Sequence, residues 1–306
     1  VKILVLGGSG FIGSYLCEQL IANNHDVTVF HQPGASNKNL VSIESKVHIV
    51  EGNINNVNDI AKALQGMELV VHLVSATLPG NSFLNPTYDV QMNVISSIQL
   101  FDQCVKANIK KLVFVSSGGT VYGIPTEQPI KETHALNPIS PYGISKLAVE
   151  KYLAMYHYHF GLDYTILRLS NPFGPRQEPT RGQGVIATWI NKIRHGEPIE
   201  IWGNGEIVRD YLYIDDAVSA ISMAVSSHSA HKVFNVGSGV GYSLIDLHAL
   251  IQAQLAKPVP IVFREMQKVD VPVNILDIGL IKQHLGWAPE VDIAEGIRRL
   301  WKSQHG

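Results

Sequence analysis

Over the first 170 residues, short apolar runs alternate with segments of helical periodicity. The runs at 2–6, 26–30, 47–50, 69–73, 111–116 and 164–169 read as strands, and 11–22, 57–64, 86–107 and 141–160 between them read as helices. Alternation at this spacing predicts a parallel sheet covered by helices on both faces. The pattern changes after Asn171-Pro172-Phe173-Gly174-Pro175. From there to Gly184 the chain is rich in Pro, Gly and charge, and reads as an ordered loop or lid. Beyond it, short strands at 199–202, 232–236 and 260–263 mix with helices near 185–195, 215–226, 243–255 and 293–303.

Composition narrows the class. The 306 residues suffice for one large or two modest domains, and 45% hydrophobic with 16% charged residues describes a globular chain. A formal net charge of −2 leaves no basic surplus to neutralise phosphates, so nucleic acid is not expected as a partner. Cys17 and Cys104 both fall in helical patterns, which fits a reducing, cytoplasmic setting. No run is long and apolar enough to predict a membrane span, and the first apolar run ends in glycines as a core strand does. The thirteen histidines are scattered, and His157 and His159 point to different faces of one helix, so no metal site is expected. Ser117 lacks a His/Asp setting for hydrolase chemistry. The tryptophans at 202, 287 and 301 are expected to pack or to line a site in the second half.

Two motifs carry chemistry. In Val5-Leu6-Gly7-Gly8-Ser9-Gly10-Phe11-Ile12-Gly13 a strand runs into a glycine turn and then a helix. Gly7 and Gly10 allow a tight turn and close approach of a pyrophosphate to the positive helix N-terminus, and Gly13 lets helix and strand pack closely. Farther on, Ser140-Pro141-Tyr142-Gly143-Ile144-Ser145-Lys146 puts a tyrosine and a lysine on one helix face. A free phenol, with a pKa of about 10, is a poor base at neutral pH. An ammonium beside it is expected to favour the phenolate, so the pair could move a proton to or from a sugar or alcohol hydroxyl.

With these motifs and Ser116-Ser117-Gly118-Gly119-Thr120-Val121-Tyr122-Gly123, the chain resembles the extended short-chain dehydrogenase/reductases, and most of all their nucleotide-sugar epimerase branch. The likeness extends through Leu169–Arg176, Val208–Asp216, Phe234-Asn235-Val236-Gly237 and Leu285-Gly286-Trp287. It implies an α/β fold with a Rossmann-type doubly wound parallel sheet over residues 1–170, to which 215–236 return. Residues 171–306 would mainly form a smaller C-terminal α/β domain that binds the nucleotide sugar. NAD, with NADP admissible, would lie against Gly7, Gly10, Phe11, Ile12, Gly13, His31, Asn53, Ile54, Leu73 and Asn93. Tyr142 would be the general base or acid, and Lys146 would tune it and bind the nicotinamide ribose. Thr120, Asn171, Arg209, Arg264 and Asp270 would meet the substrate. The helices at 86–107 and 141–160 would pair across a two-fold axis in a homodimer.

Departures from the family pattern matter too. The hydroxyl that usually assists the tyrosine is replaced by Gly118, so Thr120 or Ser117 must supply it. The acid expected after the second strand is His31, which removes the usual repulsion of a 2′-phosphate, and His31 and Lys38 could meet one. Asn53 replaces an Asp that often contacts adenine, Thr77 a lysine near the cofactor, and Gln267 an arginine on the diphosphate, which leaves Lys268 or Arg264 as substitutes. A 4,6-dehydratase is disfavoured because Gly119 and Thr120 stand where an Asp-Glu pair is needed. A 4-epimerase working through a transient 4-keto sugar is the leading expectation. An NAD(P)H-dependent reductase of a 4-keto-6-deoxy nucleotide sugar is the alternative.

Overall fold

The glycine turn that follows the first strand sets where everything else sits. In the computed structural model, which describes residues 1–179, 184–265 and 271–304, the first half runs β1 (Lys2–Leu6), α1 (Phe11–Ala22), β2 (Asp26–His31), β3 (Val47–Glu51), α2 (Val57–Ala63), β4 (Leu69–His72), α3 (Pro86–Asp89), α4 (Ser96–Lys106), β5 (Lys111–Ser117), α5 (Pro141–Phe160) and β6 (Asp163–Leu169). The second half runs β7 (Asn171–Phe173), α6 (Val185–Arg194), β8 (Ile199–Trp202), β9 (Val208–Tyr213), α7 (Ile214–Ser226), β10 (Val233–Val236), β11 (Gly241–Ser243), α8 (Leu244–Leu255), β12 (Ile261–Arg264), β13 (Val273–Asn274), α9 (Gly279–Leu285) and α10 (Ile293–Ser303).

Seven strands form one parallel sheet in the order β10-β6-β5-β4-β1-β2-β3. This is the doubly wound Rossmann order with a seventh strand added. Successive side chains of a strand face opposite sides of a sheet. Ile3 and Val5 therefore enter one core with Leu16 and Leu20 of α1 and Ala217 and Ile221 of α7, whereas Leu4 and Leu6 enter the other with Leu100 and Phe101 of α4 and Leu153 of α5. Each such leucine contributes roughly 1.5–3 kcal/mol by leaving water. The order reverses between β1 and β4, so a crevice opens above their C-terminal ends, where open α/β sheets bind ligands.

The predicted strands and helices of the first half are present, with ends differing by a residue or so. The helix expected over 86–107 is not uniform. A π-helical segment, Val90–Ile95, separates α3 from α4 and carries Asn93. The wide turn is steadied by serine hydroxyls: Ser96 donates to the Met92 carbonyl and Ser97 to the Asn93 carbonyl, both at 2.6 Å. In the second half β9 is central to a small sheet, flanked by β11, β13 and β7, and β12 pairs with β8. The strands β7, β9, β11 and β13 and helix α9 were not anticipated from the pattern. No helix among the described residues is long and apolar enough to cross a membrane.

Candidate active site

The glycine turn forms a cradle. Gly7 has φ +84°, a left-handed conformation that a side chain would strain, and a Cβ at Gly13 would run into the Gly7 carbonyl. Helix α1 starts at Phe11 without a side-chain cap, so the N–H groups of its first turn remain available to an anion. Leu73 lines the turn from β4: its N–H donates to the Leu6 carbonyl at 3.1 Å, and its Cβ lies 3.6 Å from where a Gly7 side chain would start. The donor set and the closeness of the backbone fit a dinucleotide pyrophosphate.

At the end of β2, His31 is buried and its Nδ1 lies 3.2 Å from Ser9 Oγ. Position 31 itself carries no carboxylate, but one stands next to it. Parallel pairing sets Glu51 of β3 beside His31, with Glu51 Oε1 3.9 Å from His31 Nε2. Lys38, which could meet a 2′-phosphate, pairs with Glu178 at 2.7 Å. Asn53 is exposed and orders its own turn, accepting from the Asn55 N–H at 2.9 Å, and Ile54 is buried behind it. Of the loop that follows β7, Arg176 reaches back to α1. It donates to Ser14 Oγ at 3.1 Å and Glu18 Oε1 at 2.8 Å and covers the Tyr15 ring. The remainder of the expected lid, 180–183, lies outside the described residues.

Helix α5 presents the tyrosine and lysine. Its start is fixed by Ser140, whose Oγ accepts from the Gly143 N–H at 3.1 Å, and by Pro141 in the first turn. Tyr142 and Lys146 share one face and border a narrow pocket with Ser75, Asn93, Phe114 and Ser145. Lys146 is buried, donates to the Val115 carbonyl at 3.1 Å, and sits 5.6 Å from the Tyr142 ring centre. Burial pulls its ammonium down to about 8 against the opposing carboxylates of Glu150 and Asp89. The Lys146 ammonium is expected to favour the phenolate, and in the pocket other influences on the phenol are larger. Burial pushes the Tyr142 phenol up to about 12; its hydrogen bond with Ser75 draws it back, and Asp89 adds to the rise. A positive charge brought into the pocket would favour the phenolate further.

Asn93 closes the pocket wall. Its Oδ1 accepts from the Ala76 N–H at 2.9 Å, and its Nδ2 donates to Thr77 Oγ1 at 3.0 Å and Asp89 Oδ1 at 3.1 Å. Neither Ser75 nor Asp89 was singled out in the sequence. A serine in the loop after β4 and an aspartate after Pro86-Thr87-Tyr88 carry no local signal, and only the topology brings these groups to α5.

Beside Tyr142 a cleft of about 960 Å³ opens between the two halves, lined among others by Thr120, Ser140, Asn171, Lys192, Trp202 and Arg209. The Thr120 hydroxyl is buried with no hydrogen-bond partner. Ser117, at the end of β5, does not line this cleft. A hydroxyl at position 118 has no space, because a Cβ there would sit 2.5 Å from Leu276 Cδ1 and 3.0 Å from the Arg168 carbonyl. Asn171 donates to the Asp210 carbonyl at 2.9 Å, which fixes β7 to β9. Arg209 donates to the Val208 carbonyl at 2.8 Å and still reaches the cleft. Arg264 pairs with Glu200 at 2.7 Å and does not line the cleft; Glu200 does. Gln267, Lys268 and Asp270 lie outside the described residues. Trp287 packs in the core and donates to Ser219 Oγ at 2.8 Å, and Trp301 lies under Lys257. Among the described residues no cluster of three or more His, Cys, Asp or Glu could hold a metal.

The comparison with known proteins agrees with this geometry. A profile of the NAD dependent epimerase/dehydratase family matches residues 3–237. A UDP-glucose 4-epimerase of Mycolicibacterium smegmatis is 34% identical, covering 98% of this chain and 97% of its own length. A dTDP-4-dehydro-6-deoxyglucose reductase of Escherichia coli is 32% identical, covering 98% and 96%. Among solved structures, a UDP-glucose 4-epimerase of Thermotoga maritima with UDP-glucose superposes with a TM-score of 0.94 at 35% identity, covering 100% of this chain and 99% of that one. With its glycine cradle, its tyrosine–lysine helix and this end-to-end similarity, the chain belongs to the NAD-dependent epimerase/dehydratase family of enzymes.

Proposed function

We propose that this protein is a nucleotide-sugar 4-epimerase acting on UDP-glucose and UDP-galactose or their N-acetyl forms. The observation that carries the reading is the Tyr142–Lys146 face set between the glycine cradle and a cleft of about 960 Å³. That volume lies at the upper end of the range of roughly 300–1,000 Å³ usual for small-molecule sites, which leaves a hexose room to turn. Bound in the cradle, NAD supplies a hydride acceptor that is regenerated within one turnover. Tyr142 takes the proton from the sugar 4-hydroxyl, Thr120 steadies that oxygen, and Lys146 holds the ribose and the field around the phenol. The 4-keto sugar then turns over in the cleft, and Tyr142 returns the proton after reduction on the opposite face. Arg209, with Asn171 behind it, faces the diphosphate.

The Escherichia coli relative supports a second reading, reduction of a 4-keto-6-deoxy nucleotide sugar by the same tyrosine in one direction. An NMR assay separates the two. With each UDP-hexose and no added nicotinamide, an epimerase interconverts the sugars, whereas a reductase leaves them unchanged and consumes NADPH with the 4-keto sugar. Silence in the first arm together with consumption in the second would overturn the epimerase reading. We further propose a cytoplasmic homodimer joined through α4 and α5, on or beside which Ile95, Ile144, Tyr152 and Met155 are exposed. Light scattering that gives a monomer mass would refute the pairing.

A further inference from the structure

Behind the narrow pocket lies a carboxylate that the proposed chemistry does not use. Asp89 ends α3 and is fully buried. One oxygen accepts from Thr77 Oγ1 and from Asn93 Nδ2, the latter at 3.1 Å, and the other accepts from Ser145 Oγ. A single carboxylate thus joins three separate pieces of the pocket wall: the loop after β4, the π-helical turn, and α5 one residue before Lys146. All three donors are neutral, and no basic side chain among the described residues forms an ion pair with it. A buried carboxylate costs several kcal/mol to desolvate, and an asparagine could hold the same three pieces without that cost.

The neighbourhood shows where the charge is felt. Lys146 is faced by Asp89 from α3, by Glu150 on its own helix, by His72 from β4, and by Tyr142. Glu150 is committed to Arg168 of β6 at 2.7 Å and accepts from Ser116 Oγ at 2.5 Å. His72 is held neutral by burial and by Lys146 itself. Tyr142 is faced by Ser75 and Asp89. Asp89 is therefore the carboxylate near Lys146 that no guanidinium already neutralises.

We propose that Asp89 is a positioning residue that acts through α5: it locks the helix to the pocket wall one residue before Lys146, and its carboxylate, which no basic side chain among the described residues pairs with, bears on Lys146 and Tyr142 from that wall. This rests on the tyrosine–lysine reading of the site, but its test reads protonation directly, so it can fail while that reading stands.

The experiment is an NMR titration of protein carrying ¹³Cε-labelled lysine, with the Lys146 signal identified by its loss in Lys146→Met. In the unmodified protein Lys146 should titrate well below ordinary lysines. Asp89→Asn should lower its midpoint by about one pH unit, as expected when a nearby opposite charge is removed. Ser145→Ala detaches the carboxylate from α5 but keeps its charge, so the midpoint should move by less than about a third of a unit while kcat falls. A merely structural Asp89 would leave the Lys146 midpoint unmoved in Asp89→Asn, and that result would overturn the inference. Equal shifts in the two variants would overturn it as well. Should Asp89→Asn not fold, Asp89→Ser carries the test: with the charge removed, the Lys146 midpoint should again fall by about one unit, and an unmoved midpoint would refute the role.

Discussion

Replacing His72 with phenylalanine should make the protein less sensitive to acid. His72 ends β4, is buried, and its Nε2 lies 3.0 Å from Ser97 Oγ. The single hydroxyl hydrogen of Ser97 goes to the Asn93 carbonyl at 2.6 Å, so Nε2 must carry the ring proton and donate. Nδ1 is buried without a partner, and a second proton there would enter the core near Lys146. Burial first, and then the Lys146 ammonium, hold the ring down at about 3. A histidine in an unfolded chain titrates near about 6.5, so between these values the unfolded chain binds more protons than the folded one. Stability is therefore complete above about 6.5 and is lost as pH falls towards 3. At pH 5 the deficit is about 1.5 units at 1.36 kcal/mol each, or about 2 kcal/mol. Phenylalanine keeps the ring beside Phe114, and Ser97 keeps its own acceptor. Urea unfolding at pH 7 and pH 5 should show the unmodified protein losing about 2 kcal/mol more than His72→Phe over that interval. Other groups titrate in both proteins and cancel. Equal losses would refute the assignment of a neutral, Nε2-protonated His72.

Other substitutions probe the site directly. Tyr142→Phe should lower kcat by about 10²–10⁴-fold while calorimetry finds NAD affinity unchanged, since the glycine cradle and Lys146 are intact; near-normal turnover would sink the proton-transfer role. Glu51→Gln should tighten NADP binding relative to NAD by about three- to tenfold, a modest effect because the carboxylate is half in solvent, and an unchanged ratio would remove it as the selecting charge. Gly118→Ser should destabilise by about 1–3 kcal/mol through its collision with Leu276 without raising kcat, and a gain in turnover would show that the hydroxyl belongs there and not at Thr120.

The large sheet was legible because its strands are covered on both faces and so read as unbroken apolar runs. The cradle was legible because its function demands glycines at fixed spacing, and α5 because Ser140-Pro141 marks its start and Tyr142 and Lys146 fall one turn apart. β9 escaped notice because Val208-Arg209-Asp210 looks like a surface stretch. Asp210 is in fact fully buried, and the N–H groups of Ser238, Gly239 and Leu276 donate to it, partners supplied by segments far along the chain. Glu51 and Asp89 escaped for the same reason. Register between β2 and β3 delivers the first to His31, and a π-helical turn that no apolar period announces helps orient the second.

The seventh strand has a consequence for synthesis. β6 is complete by residue 169, but the strand that covers its outer side, β10, begins only at Val233, and the register runs from Val233↔Ile166 to Val236↔Leu169. While the intervening residues are being made, β6 presents a bare row of N–H and C=O groups flanked by Ile166, Leu167 and Leu169, the kind of surface that pairs with other chains. At about 5–20 residues per second that exposure lasts several seconds on the ribosome. A fragment cut at the apparent boundary near residue 170 would keep the whole glycine cradle and the tyrosine–lysine helix, and would still be expected to aggregate. Extending it through residue 237 restores the missing strand and α7 and should recover a soluble sheet.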